Sequence, residues 1–410
     1  MASIKPFKAL RPKAELAEKV AELPYDVVSS QEARDIAKDN KYSFFYITKP
    51  EIDMDENIDI YSQEVYDTGR KALKSFISDG VFVQEEKPCY YLYTQTMDGR
   101  SQTGIVACVS IDDYIANRVK KHELTREDKE LDRTRHIDVV NANTGPVFLF
   151  FKDNDKRGSL FEKALSAPPI YDFTAIDSIR HTVRIIEDDQ LIQEITQMIA
   201  PEALYIADGH HRAASSVRVG IKRREEFTDY TGQEEFNSFL SVIFPHTELK
   251  ILAYNRVVKD LNGLNTDSFI EELKSKNFTV EKTGKKVPDG TKEFSMYLDK
   301  NWYTVKPNFA ITQDPLAGLD VSILQDNILS PILGIKDPRK DERVNFVGGI
   351  RGTAELEKIT NNGEYTVAFS MYPTTLEQLI DVSDADKIMP PKSTWFEPKL
   401  RSGLLLHLLD

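Results

Sequence analysis

Residues 203–218 read Ala-Leu-Tyr-Ile-Ala-Asp-Gly-His-His-Arg-Ala-Ala-Ser-Ser-Val-Arg. Leu204 to Ala207 is a short apolar run of the kind that forms a buried strand. Asp208 and Gly209 break it, and the composition from Ala213 onward favours helix. The pattern predicts a strand, a tight turn and a helix, with Gly209, His210, His211 and Arg212 at the helix mouth. A helix N-terminus offers unpaired backbone N–H groups and a partial positive charge. Gly209 has no Cβ, so a ligand can approach its backbone closely. Arg212 adds a planar, permanently charged fork suited to phosphate. Together these features predict a phosphate site drawing on Gly209, His211, Arg212, Ala213 and Ser215. The plainer alternative makes Asp208 a helix cap and leaves both histidines solvated. Two of the chain's seven histidines are adjacent here, which favours chemistry. Asp208 ends an apolar strand, where an ionised carboxylate needs a partner or a metal to offset lost solvation.

The stretch Asp-Gly-His-His-Arg-Ala-Ala resembles the Gly-x-x-Arg-x-x-Ala signature of the ParB/sulfiredoxin-like nucleotide-binding fold, and free-serine kinases of that fold carry a similar Asp-Gly-His element. Over nearly its whole length the chain also resembles the DUF1015 family. The matching pieces are Pro24-Tyr25-Asp26-Val27, His122-Glu123-Leu124-Thr125, Asn143-Thr144-Gly145-Pro146-Val147-Phe148, Asp208 to Arg212, and Met389-Pro390-Pro391-Lys392-Ser393-Thr394. The resemblance implies an α+β chain whose N-terminal domain, residues 1–240, is ParB/sulfiredoxin-like and binds nucleotide. A second α+β domain follows over 241–410, with its Pro-rich end returning to the cleft.

The same resemblance brings Asp26, His122, Glu123 and Thr125 toward the site. Read from the residues alone, Asp26 is a turn residue, and the charged stretch around His122 is an exposed helix laced with opposite charges. It is no zinc-protease motif, because the residue four after His122 is Arg126. Lys392, Ser393, Thr394 and Lys399 are suited either to close over an anionic ligand or to form an interdomain strap.

Phosphoryl transfer from ATP or ADP to the hydroxyl of a small metabolite, with free serine as the named acceptor, is the activity this points to. Such a reaction needs positioning and neutralisation of developing negative charge. The helix mouth, Arg212 and Mg²⁺ would supply these, and Asp208, Glu123 or Asp26 would hold the ion or accept the hydroxyl proton. His210 joins Asp208 and Glu123 as a catalytic candidate, stabilising the phosphoryl group or shuttling a proton. No protein metal cluster is predicted. A nucleotide- or metabolite-binding regulatory protein without catalysis is the alternative. A ParB-like DNA clamp would need a basic element that is not evident. Sulfiredoxin-like repair needs a cysteine where His210 stands.

The 410 residues are 40% hydrophobic and 29% charged, enough for two or three domains. A net charge of −13 argues against a broad nucleic-acid surface. No apolar run approaches the roughly 20 residues of a membrane helix. Two cysteines, Cys89 and Cys108, make no disulfide framework. The expectation is a cytoplasmic protein.

Elsewhere the pattern predicts strands over Ser43–Thr48, Pro88–Thr96, Thr103–Ser110 and Val147–Phe151. Asp98-Gly99 marks a hairpin between the second and third. A helix is expected over Asp55–Asp79, another over Asp188–Ile199, and a strand over Phe236–Phe244 that enters the second region. Gly348-Gly349-Ile350-Arg351-Gly352 lacks the ending of a P-loop and reads as a turn.

Overall fold

The computed structural model of the chain describes residues 2–227 and 229–410, and these form two compact units. The first comprises Met1–Leu249 together with Pro398–Asp410, and the second Lys250–Glu397. Both are mixed α+β.

A nine-stranded sheet forms the core of the first unit. In chain order its strands are β1 (Ile4–Lys5), β2 (Tyr90–Met97), β3 (Arg100–Ser110), β4 (Val119–Lys120), β5 (Val147–Phe151), β6 (Tyr171–Thr174), β7 (Arg180–Ile186), β8 (Leu204–Asp208) and β9 (Ser238–Pro245). Across the sheet the order is β4-β8-β5-β9-β3-β2-β7-β6, with β1 against β3. The pairs β8–β4 and β9–β5 are parallel, while the other pairings are antiparallel. The β2–β3 hairpin turns at Asp98 and Gly99, whose φ of 51° and 77° fits the tight turn that Asp-Gly favours.

Every residue of β5 and β9 is buried. That explains their near-continuous apolar sequences, since a strand covered on both faces has no polar side to show. Strand β9 is an interior strand of this sheet, so it belongs to the first unit and does not open the second.

The helices of this unit include α1 (Ser30–Ala37), α2 (Gln63–Ser78), α3 (Glu127–Val140), α4 (Asp189–Ile199) and α5 (His210–Glu226). Ser29 and Glu32 form a reciprocal capping box at α1, and Asp188 caps α4 by accepting from the Leu191 N–H. Helix α2 begins at Gln63, later than its periodicity suggests, and Ile60 lies exposed before it. Phe45–Thr48, expected as a strand, is a short helix. Phe44, Phe45 and Ile47 are all fully buried there, and an apolar run buried on all sides carries no period to separate strand from helix.

The charged segment from Ile111 to His136 is likewise not one exposed helix. It contains a short helix at Ile111–Ile115, then β4, then α3. Helix α3 buries Glu130, Asp132 and His136. Asp132 accepts from Tyr66 at 2.8 Å and pairs with Arg133, so its charge is matched inside the fold.

The second unit holds a six-stranded sheet in the order Phe278–Thr283, Asn301–Pro307, Phe294–Leu298, Val367–Met371, Tyr254–Val258 and Val344–Gly348. Its pairings are all antiparallel. Gly348 and Gly349 serve packing: an added Cβ would come within 2.6 Å of the Trp395 ring and 2.7 Å of the Ala253 carbonyl, respectively. The glycine-rich stretch is therefore a close-packed turn.

Candidate functional site at the mouth of helix α5

Strand β8 runs beside β5, and its register becomes irregular between Ile206 and Asp208. The irregularity falls at Ala207, and Asp208 pairs again, with Phe148, just before Gly209. That residue sits at φ 93°, ψ 32°, the left-handed conformation glycine adopts without steric cost. An added Cβ would also stand 3.0 Å from the Arg212 guanidinium carbon. No side chain caps α5, whose seventeen residues begin at His210. The first N–H groups of the helix, and the positive end of its dipole, are thus left to be satisfied by something other than a side-chain cap.

Asp208 is tied to two cations. Lys399 Nζ lies 3.0 Å from its Oδ1, and Arg212 Nη2 lies 2.6 Å from its Oδ2. Burial by itself would raise the Asp208 carboxyl pKa. The charges of Lys399 and then Arg212 overcome that and hold it well below the usual carboxylate range. The other terminal nitrogen of Arg212 donates to the Pro146 carbonyl. Arg212 Nη2 also lies 3.8 Å from Asp26 Oδ2. The guanidinium expected to face a phosphate is therefore a buried brace between the strand end and the Pro146 loop. Its Nε alone lacks a hydrogen-bond partner among the described residues.

His210 is 6% exposed and His122 2%. Their rings meet edge to face, with centroids 4.6 Å apart and planes at 88°. Glu123, an exposed neighbour, places Oε2 3.9 Å from His210 Nδ1. Burial drives the His122 pKa down to about 4, against the opposing pull of Asp208 and a backbone hydrogen bond with Ile206. Burial, and then neighbouring His122, push His210 well below the ordinary histidine value. Both imidazoles are neutral at pH 7, and a neutral imidazole can accept a proton or bind a metal. The set His122, Glu123 and His210 places one possible ligand atom from each residue within 4.8 Å of the others.

Other expected site residues have different tasks. The Ser215 hydroxyl is fully buried and donates to the Glu130 carbonyl at 2.9 Å, so it joins α5 to α3 and does not reach the mouth. It lies more than one turn into the helix, on the face packed against its neighbour. Thr125 donates to the Glu130 carboxylate. His211 accepts from the Arg126 N–H at 3.0 Å, and Ala213 lies in the sheet core.

Lys392, Ser393 and Thr394 belong to the second unit. The Ser393 hydroxyl donates to the Pro390 carbonyl at 2.6 Å there, and Lys392 Nζ lies 5.6 Å from the Tyr254 ring centroid. The residues that sequence reasoning did not join to Asp208 are Lys399 and Pro146. Nothing in the sequence pairs either of them with the turn.

The pattern of the protein family of unknown function DUF1015 matches residues 4–322. No curated relative matches the chain in sequence. Among solved structures, a free serine kinase in complex with AMP is similar at 14% identity, covering 73% of this chain and 91% of that one, with a TM-score of 0.36. A conserved hypothetical protein from Pyrococcus furiosus is similar at 15% identity over 74% and 95%, with a TM-score of 0.35. SbnI with a C-terminal truncation, from Staphylococcus aureus, is similar at 10% identity over 74% and 87%, with a TM-score of 0.39. The family pattern spans most of the chain and includes the strand, turn and helix around which the site is built, and the protein belongs to the DUF1015 family.

Proposed function

We propose that the mouth of α5 binds the phosphates of a nucleotide such as ATP or ADP, and that the protein transfers a phosphoryl group to the hydroxyl of a small metabolite. The observation that carries this reading is the opening of a long helix without a side-chain cap, behind a left-handed glycine. Oriented N–H groups there suit an anion, and the buried Arg212 and Lys399 add positive charge beside them. Free serine is the acceptor suggested by the resemblance of Asp208-Gly209-His210 to free-serine kinases. A ParB/sulfiredoxin-like origin of the first unit belongs to the same reading.

A bound nucleotide would supply the phosphoryl group. The residues of the chain divide the remaining work. Asp208, ion-paired through both oxygens, is a weak base; it orients Arg212 and Lys399. Glu123, exposed beside neutral His210, is the group placed to accept the acceptor's hydroxyl proton as its oxygen bonds to phosphorus and the bond to the leaving nucleotide breaks. Asp208 does not fit a Mg²⁺ ligand in this arrangement, and the imidazole-rich cluster beside it is the wrong donor set for that ion. No step is assigned to Mg²⁺.

Incubation of the protein with ATP or ADP and a pool of hydroxy metabolites including serine tests the reading by mass. A phosphorylated metabolite should appear as nucleotide is consumed. Glu123→Gln should slow its formation by at least about a hundredfold, the lower end of what a positioned proton acceptor contributes. Arg212→Ala, checked for folding, should weaken nucleotide binding by about 10–100-fold, as expected for lost charge-assisted contacts and lost order at the turn. Equal nucleotide affinity in Arg212→Ala and wild type would sink the phosphate site. Nucleotide binding with no product from any metabolite would leave a non-catalytic regulatory protein as the better description.

A further inference from the structure

We propose that His122, Glu123 and His210 bind one divalent transition-metal ion of the zinc class. The three residues come from two separate places: the segment after β4, and the first residue of α5. The fold brings one nitrogen or oxygen of each within 4.8 Å of the others. Bound zinc would draw such atoms to roughly 3.3 Å apart, given metal–ligand bonds near 2.0–2.1 Å. The required contraction is small, and Glu123 is exposed and has room to make it.

A second observation points to a ligand. The ring nitrogen of His210 placed beside Glu123 is Nδ1, 3.9 Å from Oε2, and its other nitrogen, Nε2, is buried without a hydrogen-bond partner among the described residues. A buried polar atom of a native fold ordinarily has one, and a bound ion is among the recognised explanations when no protein group supplies it. His122 meanwhile has a backbone hydrogen bond with Ile206. A contact of that kind fixes the tautomer and ring orientation of a ligating imidazole.

Two nitrogens and one carboxylate oxygen select a borderline transition ion over Mg²⁺ or Ca²⁺, which take oxygen donors. Three protein ligands also leave a coordination position open, the arrangement of catalytic and not structural zinc sites. The metal site shares Glu123 and His210 with the phosphoryl-transfer site, and Glu123 acts as the proton acceptor of that reading only in the metal-free protein. With the ion bound, Glu123 is a ligand, and the open position takes the acceptor hydroxyl or a phosphate oxygen.

The test uses the full chain stripped with a chelator, then titrated with Zn²⁺ by calorimetry and with Co²⁺ by visible absorption. One ion per chain should bind, and Co²⁺ should develop ligand-field bands, while Mg²⁺ alone gives no saturable binding. Glu123→Gln should weaken Zn²⁺ by at least about tenfold. His210→Ala and His122→Ala should weaken it by more than about a hundredfold, beyond the 10–100-fold that losing a supporting outer contact costs.

Glu123 is exposed, so its variant tests the site even if a histidine variant fails to fold by circular dichroism. No stoichiometric binding to wild type, or wild-type affinity in Glu123→Gln, overturns the proposal. Nucleotide titration of the metal-free protein separates the two ideas. Nucleotide bound without metal affinity removes only the metal site, and metal bound without nucleotide affinity removes only the phosphate reading.

Discussion

Asp208→Asn is expected to destabilise the protein by about 3–5 kcal/mol, the usual cost of removing one partner from a buried ion pair. The carboxylate is the shared counter-charge of Lys399 and Arg212, whose side chains are 13% and 7% exposed. An amide in its place still accepts a hydrogen bond, but it leaves two largely desolvated cations facing each other across the end of β8. Replacing one of them should therefore relieve the damage. Asp208→Asn combined with Lys399→Met restores the charge balance and should be more stable than Asp208→Asn alone by about 1–3 kcal/mol, the range of coupling between contacting groups. Urea unfolding of the wild type, the two single variants and the double variant gives the cycle directly. Strictly additive effects would mean that the Lys399 contact carries no energy.

This pair also marks the limit of what the sequence discloses. The strand, turn and helix at 204–226 are legible because each is a local matter: apolar run, Asp-Gly break, helix-forming composition. The same holds for the Asp98-Gly99 hairpin, the helix over Asp188–Ile199, and the buried strand Val147–Phe151. The need of Asp208 for a partner follows from its position at the end of an apolar strand. The identity of that partner does not, because Lys399 lies 191 residues away in sequence.

The histidine cluster is likewise not legible from local pattern, and only the family resemblance draws His122 and Glu123 toward the site. His122-Glu123 sits in a segment whose charges suggest exposure, and only the docking of β4 beside β8 brings it to His210. Ser215 failed on a finer point. Its place in the sequence put it near the mouth, but the turn of the helix points its hydroxyl at α3. Phe45–Thr48 failed because complete burial erases the alternation by which a strand is recognised.

The second large effect is loss of the fold in mild acid, below about pH 5. His122, His136 and His181 are at most 2% exposed. Burial is the leading cause of depression in all three, bringing His122 to about 4 and His136 and His181 to about 3. Arg133 adds to the effect at His136, and Arg401 at His181. His136 Nε2–H donates to the Ile47 carbonyl at 2.8 Å, which opposes the depression without overcoming it, and His181 Nδ1 meets the Tyr93 hydroxyl at 2.7 Å.

A folded pKa below the unfolded value of about 6.5 means that the unfolded chain takes up protons first. The stabilisation is fully present above pH 6.5 and is lost as pH falls toward the folded values. At pH 5 each ring has forfeited about 2 kcal/mol, so the three together forfeit about 6 kcal/mol. That is comparable with the whole stability of many domains, about 5–15 kcal/mol.

Glu22 opposes the trend. Burial raises its pKa to about 7, against the effects of Ser43 and Arg401, so its contribution grows as pH falls from about 7 toward 4.5. It is a single group, worth at most about 3 kcal/mol, and the three histidines outweigh it. Unfolding followed by circular dichroism from pH 8 to pH 4 should show stability falling steeply below pH 6.5, with His136→Gln reducing the slope. A stability that is flat or rising between pH 6.5 and pH 5 would show that these rings are not held neutral in the fold.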